Sequence, residues 1–187
     1  MTLRTATGRK TWMRFKTIVA LLTATMLGLA SNPVFAQQSI TTRHNYEKCR
    51  EAPSPEPEII EVRQCSGPSG IAVIWMSEPD SSSVSFGSKP LDENLEIGAA
   101  FEAAAAIEWR RGKTGKTPVA VIVRYQTGDS VGKLAKSRLV VHRIEPAGRS
   151  CIMGVISGRG AINKARALID GSAVRFVCGK SRRADQQ

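Results

Sequence analysis

The sequence predicts an α+β fold: a mainly antiparallel β-sheet with one helix near the C-terminus, held by two disulfides. Three observations carry this. From Ile59 to Ser157, short β-prone apolar runs alternate with turn signals rich in glycine, proline and serine. The clearest helical stripe is Ala161–Asp170, where Ile162, Ala165, Leu168 and Ile169 share a face. Four cysteines, Cys49, Cys65, Cys151 and Cys178, all follow a leader of exported type.

That leader is Met1–Ala36. Arg4, Arg9, Lys10, Arg14 and Lys16 precede an apolar run over Thr17–Ala30, and no acid interrupts them. Ser31-Asn32-Pro33 breaks the run, and Val34-Phe35-Ala36 ends on a small residue. This is the pattern of a secretory signal peptide, with cleavage expected after Ala36. The apolar run is shorter than the roughly 20 residues a membrane-crossing helix needs. Cys49 is too far from it to serve as a lipid-anchor cysteine. The expected location is therefore the periplasm or the medium, with no membrane span after cleavage.

The remainder, residues 37–187, has the length of one domain. The whole chain carries 27 basic and 16 acidic residues, net +11. Removing the five basic residues of the leader leaves 22 against 16, a net charge of +6. Much of the excess is thus leader, and specific nucleic-acid binding is not expected. Residues 37–80 hold four basic and seven acidic side chains, whereas residues 81–187 hold eighteen basic and nine acidic ones. A moderately basic domain of this kind suits anionic envelope polymers.

An even number of cysteines in an exported chain reads as two disulfides, and four cysteines allow three pairings. The expectation is Cys49–Cys65 with Cys151–Cys178, because each closes a short local loop. Zinc is the rival use. It lacks a Cys-x-x-Cys motif, and His44 and His142 are the only histidines. No metal or other cofactor is expected.

Along the chain, Gln37–Asn45 reads as a polar, frayed start. Glu51–Glu58, sequence EAPSPEPE, is too rich in proline for helix or central strand and reads as an exposed acidic loop. Residues 37–58 together are an exposed N-terminal segment. A single domain follows over 59–179, and 180–187 is a basic polar tail. Ile59–Cys65 and Ile71–Met76 form a hairpin about the turn Gly67–Gly70, and Val84–Phe86 is a third short strand. Leu95, Ala99 and Ala103 repeat at helical spacing, so a second short helix is expected within 95–105. Ile107–Arg111 and Pro118–Gln126 are strands flanking a basic turn. In the second, Val119, Val121, Val123 and Tyr125 face one way and Ala120 and Ile122 the other, which marks a central strand. Ser137–Ile144 and Cys151–Ser157 are further strands, and Cys151, Met153 and Val155 share a face. After the helix, Gly171 is a stop signal and Val174–Cys178 reads as a returning strand.

Two glycine motifs are turns rather than nucleotide sites. Gly112-Lys-Thr-Gly-Lys-Thr117 lacks the leading glycine of a phosphate-binding loop and is followed by a strand, not a helix. Gly158-Arg159-Gly160 has Asn163 where a dinucleotide fingerprint needs its third glycine. His142 lies on the face of Val140 and Ile144 and reads as structural. A cysteine dyad would need a free thiolate, and no Gly-x-Ser-x-Gly elbow is present. No catalytic constellation is visible, so the chain is read as a non-enzyme. Arg110, Arg111, Lys113 and Lys116 form a basic hairpin beside Trp109 and Tyr125, with Lys133, Lys136 and Arg138 as a second cluster. Basic side chains next to aromatic rings can hold sugar acids or single strands, and the hairpin is the candidate binding site.

The pieces Ile107-Glu-Trp-Arg-Arg111, Val123-Arg-Tyr125, Ser137-Arg-Leu-Val-Val141, Ser150-Cys-Ile-Met-Gly-Val155 and Phe176-Val-Cys178 occur in a familiar order. Over roughly 45–180 the chain resembles small, uncharacterised exported proteins of alphaproteobacteria. The resemblance implies an exported product and no activity. The expected function is a non-enzymatic binding or accessory protein of the cell envelope, its partner an envelope protein or anionic polymer. The alternative is an inhibitor of a secreted hydrolase such as lysozyme, with Glu51–Glu58 as the inserting loop. A hydrolase built on His142 is the third reading.

Overall fold

A computed structural model describes residues 39–112 and 115–186. The leader 1–36 and its cleavage point lie outside the described residues. The strands among them are β1 (Ser39–Arg43), β2 (Arg50–Glu51), β3 (Glu61–Ser66), β4 (Ala72–Ser77), β5 (Ser82–Phe86), β6 (Ala100–Arg111), β7 (Pro118–Gly128), β8 (Lys136–Ile144) and β9 (Ser150–Ile156). The helix is α1 (Ala161–Ser172).

Five strands form one sheet in the order β1-β6-β7-β8-β9, and four form another in the order β2-β3-β4-β5. Every neighbouring pair is antiparallel. The sheets close on a shared core that includes Trp75, Phe86, Ile107, Trp109, Val123 and Tyr125. Tyr125 links them, its hydroxyl oxygen accepting from the Val84 N–H at 3.1 Å. The far face of the larger sheet carries a second core, where Ile122, Leu139, Val141 and Met153 meet Ala165 and Ile169 of α1. Burial on both faces explains the nearly continuous apolar runs of β7, β8 and β9.

The expected fold class stands, and so do both disulfides, Cys49–Cys65 and Cys151–Cys178, with Cα atoms 4.8 and 5.6 Å apart. The helix expected within 95–105 does not form. Glu96 and Gly98 sit at positive φ, and the alanine run lies inside β6. Helix propensity favours alanine over other residues by well under about 1 kcal/mol each. Pairing with β7 along one edge of β6 and with β1 along the other outweighs it. The alanines also serve a local purpose: Ala103 pairs Tyr125 and Ile107 pairs Val123, so Ala104–Ala106 bulge opposite Arg124 alone.

Four more expectations are corrected. The start expected to fray is β1, paired with β6 from Ser39 to Arg43. Its Thr42 hydroxyl accepts from the buried Trp109 indole N–H at 2.7 Å. Val174–Cys178 forms turns instead of a strand. Val119 packs with the helix-side core, not with Val121, because Arg110 pairs Ala120 while Arg111 pairs Pro118, leaving Val119 as the bulged residue. Val155 likewise leaves the face of Cys151 and Met153, because Met153 bulges between the pairs Val141–Gly154 and His142–Ile152.

The basic tail is part of the fold. The Ala184 and Gln186 N–H groups donate to the carbonyls of Met153 and Val155, extending the sheet edge beyond β9. The Arg183 guanidinium donates to the carbonyls of Asn94 and Leu95. This approach requires Gly154, since a Cβ there would overlap the Ala184 carbonyl. Gly154→Ala is expected to cost about 1–3 kcal/mol and to release the tail. Trypsin cleavage at Arg182 and Arg183 should then accelerate in the variant and not in wild type.

Candidate functional site

The antiparallel order places the β6–β7 hairpin and the β8–β9 turn at one end of the large sheet. The β7–β8 connection is at the other end. The two basic clusters are therefore opposed: Lys116 lies at the first end, and Lys133, Lys136 and Arg138 lie at the second. They form no common surface.

The four residues of the candidate hairpin do not share an environment. Arg110 is buried, 6% exposed, on the helix side of β6. Its guanidinium meets the Asp170 carboxylate of α1 at 2.7 Å and the Ser39 hydroxyl at 2.7 Å. Glu108 completes the cluster, accepting two bonds from Arg166 at 2.9 Å each and one from Ser39. Burial pushes Glu108 upward, but the hydrogen bonds from Arg166 and Ser39 and the charges of Arg166 and Arg110 outweigh it and hold its carboxyl below its usual range. This cluster fixes α1 on the sheet, so Arg110 serves the fold rather than a surface. Arg111 is half-buried, Lys116 is exposed, and Lys113 lies outside the described residues. Trp109 and Tyr125 are fully buried, so neither ring offers a face to a base or sugar.

Glu108→Ala is expected to destabilise the protein by about 1–2 kcal/mol, because it removes the charged hydrogen bonds of half-exposed Arg166 and a counter-charge beside buried Arg110. Glu108→Gln should recover part of the loss. Urea unfolding of both variants at neutral pH measures the difference.

Beside the hairpin is a cleft of about 610 Å³, within the range of small-ligand sites. Four connections wall it: the β3–β4 turn at Ser69–Ile71, Gly87-Ser88 after β5, Thr117–Val119 opening β7, and Arg143–Gly148 around the β8–β9 turn. Two close approaches shape it. The Ser88 N–H donates to the Gly148 carbonyl at 2.9 Å, and Gly87 sits at φ +99°, where a Cβ would overlap that same carbonyl. Exposed Lys116 and Lys89 are sequence neighbours of the lining residues Thr117 and Ser88, and exposed Arg149, which follows Gly148, is ion-paired with Glu145. The acid of the wall, Glu145, is spent: it accepts from the Cys178 N–H at 2.9 Å and from Arg149 at 3.0 Å. The Cys178 N–H bond, with Arg149 beside it, holds its carboxyl below the usual range.

Arg143 reaches this cleft from the end of β8. In the sequence it is the one charge in the apolar run Leu139–Ile144. That is a signal in itself, because a charge at a buried strand position needs partners.

His142 is wholly buried in the core between the sheets, its ring 5.2 Å from that of Phe86 in edge-to-face contact. Neither ring nitrogen has a hydrogen-bond partner among the described residues, and burial lowers its pKa to about 3. It is a neutral packing residue, remote from solvent. All four cysteines are in disulfides. Among the described residues no group of His, Cys, Asp and Glu has metal-site geometry, and no helix is long and apolar enough to cross a membrane.

Comparison with known proteins finds no matching family model, no matching curated protein and no matching solved structure.

Proposed function

We propose that this chain is an exported, non-enzymatic binding protein of the bacterial cell envelope, which recognises an anionic polymer at the cleft end of its sandwich. The observation that carries the reading is that exposed Lys89 and Lys116 are sequence neighbours of the cleft-lining Ser88 and Thr117, while the lining acid Glu145 is already paired with Arg149. Such a rim attracts polyanions with a salt-dependent affinity. Export is supported by the two disulfides, which belong to an oxidising compartment, and by the leader-like residues 1–36.

The opposed clusters supply the test. Binding to polygalacturonate, measured by calorimetry at low and moderate salt, is expected to weaken at least tenfold in Lys89→Glu/Lys116→Glu. Lys133→Glu/Lys136→Glu, at the far end, should bind like wild type. Equal losses in both double variants would mean diffuse charge attraction, and no binding by wild type would overturn the reading.

The inhibitor alternative has one observation in its favour. The acidic loop Glu51–Glu58 is held at its base by Cys49–Cys65 and by the Ser54 hydroxyl donating to the Ile60 carbonyl at 2.6 Å. It presents Ile59, 56% exposed, beside Glu56 and Glu58. A rigid acidic loop with an apolar tip suits insertion into a basic enzyme. Lysozyme turnover unchanged by a molar excess of the protein would remove this alternative.

A further inference from the structure

Arg143 is 7% exposed, yet among the described residues no carboxylate hydrogen-bonds to it. Its Nε–H donates to the Phe176 carbonyl at 3.3 Å, and Nη1 donates to the carbonyls of Val119 and Ile144. Those three bonds use three of the five guanidinium N–H groups. The two on Nη2 have no hydrogen-bond partner among the described residues, and Arg143 lines the cleft. The neighbouring Glu145 is occupied by the Cys178 N–H and Arg149. The Glu145 carboxylate two residues on attracts the guanidinium without a hydrogen bond to it, so the Nη2 edge keeps its donors for another acceptor. Three carbonyls fix its plane, so an arriving anion would lose little to ordering it.

The rest of the wall is mixed. Thr117, Ser88 and Ser69 offer hydroxyls, while Ile71, Pro118 and Pro146 are apolar. We propose that the cleft is a site for a small organic anion with an apolar body: its carboxylate or phosphate head binds the Nη2 edge of Arg143, and its body lies against Ile71, Pro118 and Pro146. The charge-assisted bonds select the head, and apolar contact scales with the length of the body. This goes beyond the polymer reading and needs only the cleft.

The test uses the disulfide-bonded, nitrogen-15-labelled protein at constant ionic strength. Acetate, hexanoate, hexyl phosphate and 1-hexanol are titrated separately while backbone amides and arginine Nε–H signals are followed. Hexanoate or hexyl phosphate should give saturable shifts at the Arg143 Nε–H, Val119 and Gly148. Which of the two binds more tightly identifies the head. Acetate should bind at least tenfold more weakly, and hexanol should not saturate. Because Arg143 also braces three carbonyls, its replacement could unfold the chain, so the blocking variant is Ser88→Trp. It fills the mouth and should weaken hexanoate and hexyl phosphate at least tenfold with an unchanged melting temperature. Equal binding of hexanol and hexanoate, non-saturating shifts confined to Lys89, Lys116 and Arg149, or undiminished binding in Ser88→Trp would overturn the proposal. Saturable cleft binding without polygalacturonate binding would retain this site and discard the polymer reading; the reverse result would do the opposite.

Discussion

Replacing His142 with leucine is expected to remove much of the protein's sensitivity to mild acid. In the folded state the ring is wholly buried, its nitrogens unpartnered, with a pKa lowered to about 3. In the unfolded chain it titrates near 6.5. Between these values the unfolded state binds a proton that the folded state refuses. The histidine therefore leaves stability intact above about pH 6.5 and erodes it as pH falls, by about 1.4 kcal/mol per unit. At pH 4.5 the loss is about 2.7 kcal/mol, a large share of the stability of a small domain. Two other sets of groups act in the same direction. Burial also lowers His44, and His44→Gln is the control for its share. Glu61, Glu108 and Glu145 are held below their usual range, so their contributions are lost only at lower pH, as their carboxylates protonate. The interval from pH 6.5 to 5 thus belongs to the histidines. His142→Leu conserves volume and removes two unpaired polar atoms, so it should be neutral or stabilising at pH 7. Urea unfolding at pH 7, 6 and 5 decides the matter: equal slopes of stability against pH in wild type and His142→Leu would refute this account.

The same residue shows what the sequence could and could not reveal. Alternation placed His142 on the face of Val140 and Ile144, and all three belong to the inter-sheet core. Periodicity located most of the apolar elements, though not the polar strands β1 and β2. β3, β4, β5, β7, β8, β9 and α1 all lie within a few residues of their expected bounds. It failed at the bulges. One extra residue reverses every later side chain, and neither Val119 nor Met153 carries a local mark of that reversal. The alanine run at 103–106 failed for a different reason, since its conformation is set by neighbours more than fifteen residues away in sequence. Propensity is blind to such neighbours.

The candidate site was legible only as charge. Basic density marked the hairpin, but Arg110 and Lys116, six residues apart, have opposite fates: one is clamped by Asp170 beneath α1, and the other stands in solvent. That difference depends on a helix fifty residues downstream. The cleft is built from four connections scattered between Ser69 and Gly148. No window of sequence contains it. The opposition of the two basic clusters likewise follows from strand order, which composition does not encode.

Breaking Cys151–Cys178 is expected to have the largest effect on stability among the covalent features. The bridge spans 27 residues, and restricting a loop of that size stabilises a fold by about 3–4 kcal/mol through the unfolded chain. Its position adds to this. Cys151 opens β9, and Cys178 follows the turns after α1, so the loop contains β9 and the helix that covers it. Both cysteines are buried in the helix-side core. The Cys178 N–H is held by Glu145, and Arg143 bonds the Phe176 carbonyl two residues earlier. The bridge thus fastens the turn that braces the cleft arginine. Cys151→Ser/Cys178→Ser should lose about 3–4 kcal/mol and, in the folded fraction, weaken any ligand of Arg143. The Cys49–Cys65 bridge, with a separation of 16, lies on the smaller sheet and shares none of these contacts. Its removal should cost a comparable loop entropy of about 3 kcal/mol while leaving Arg143 undisturbed. Urea unfolding of the two double variants, paired with the Arg143 Nε–H signal in each, separates the effects. A perturbed Arg143 signal in the Cys49–Cys65 variant, or an unperturbed one in the Cys151–Cys178 variant, would show that the brace is not the disulfide.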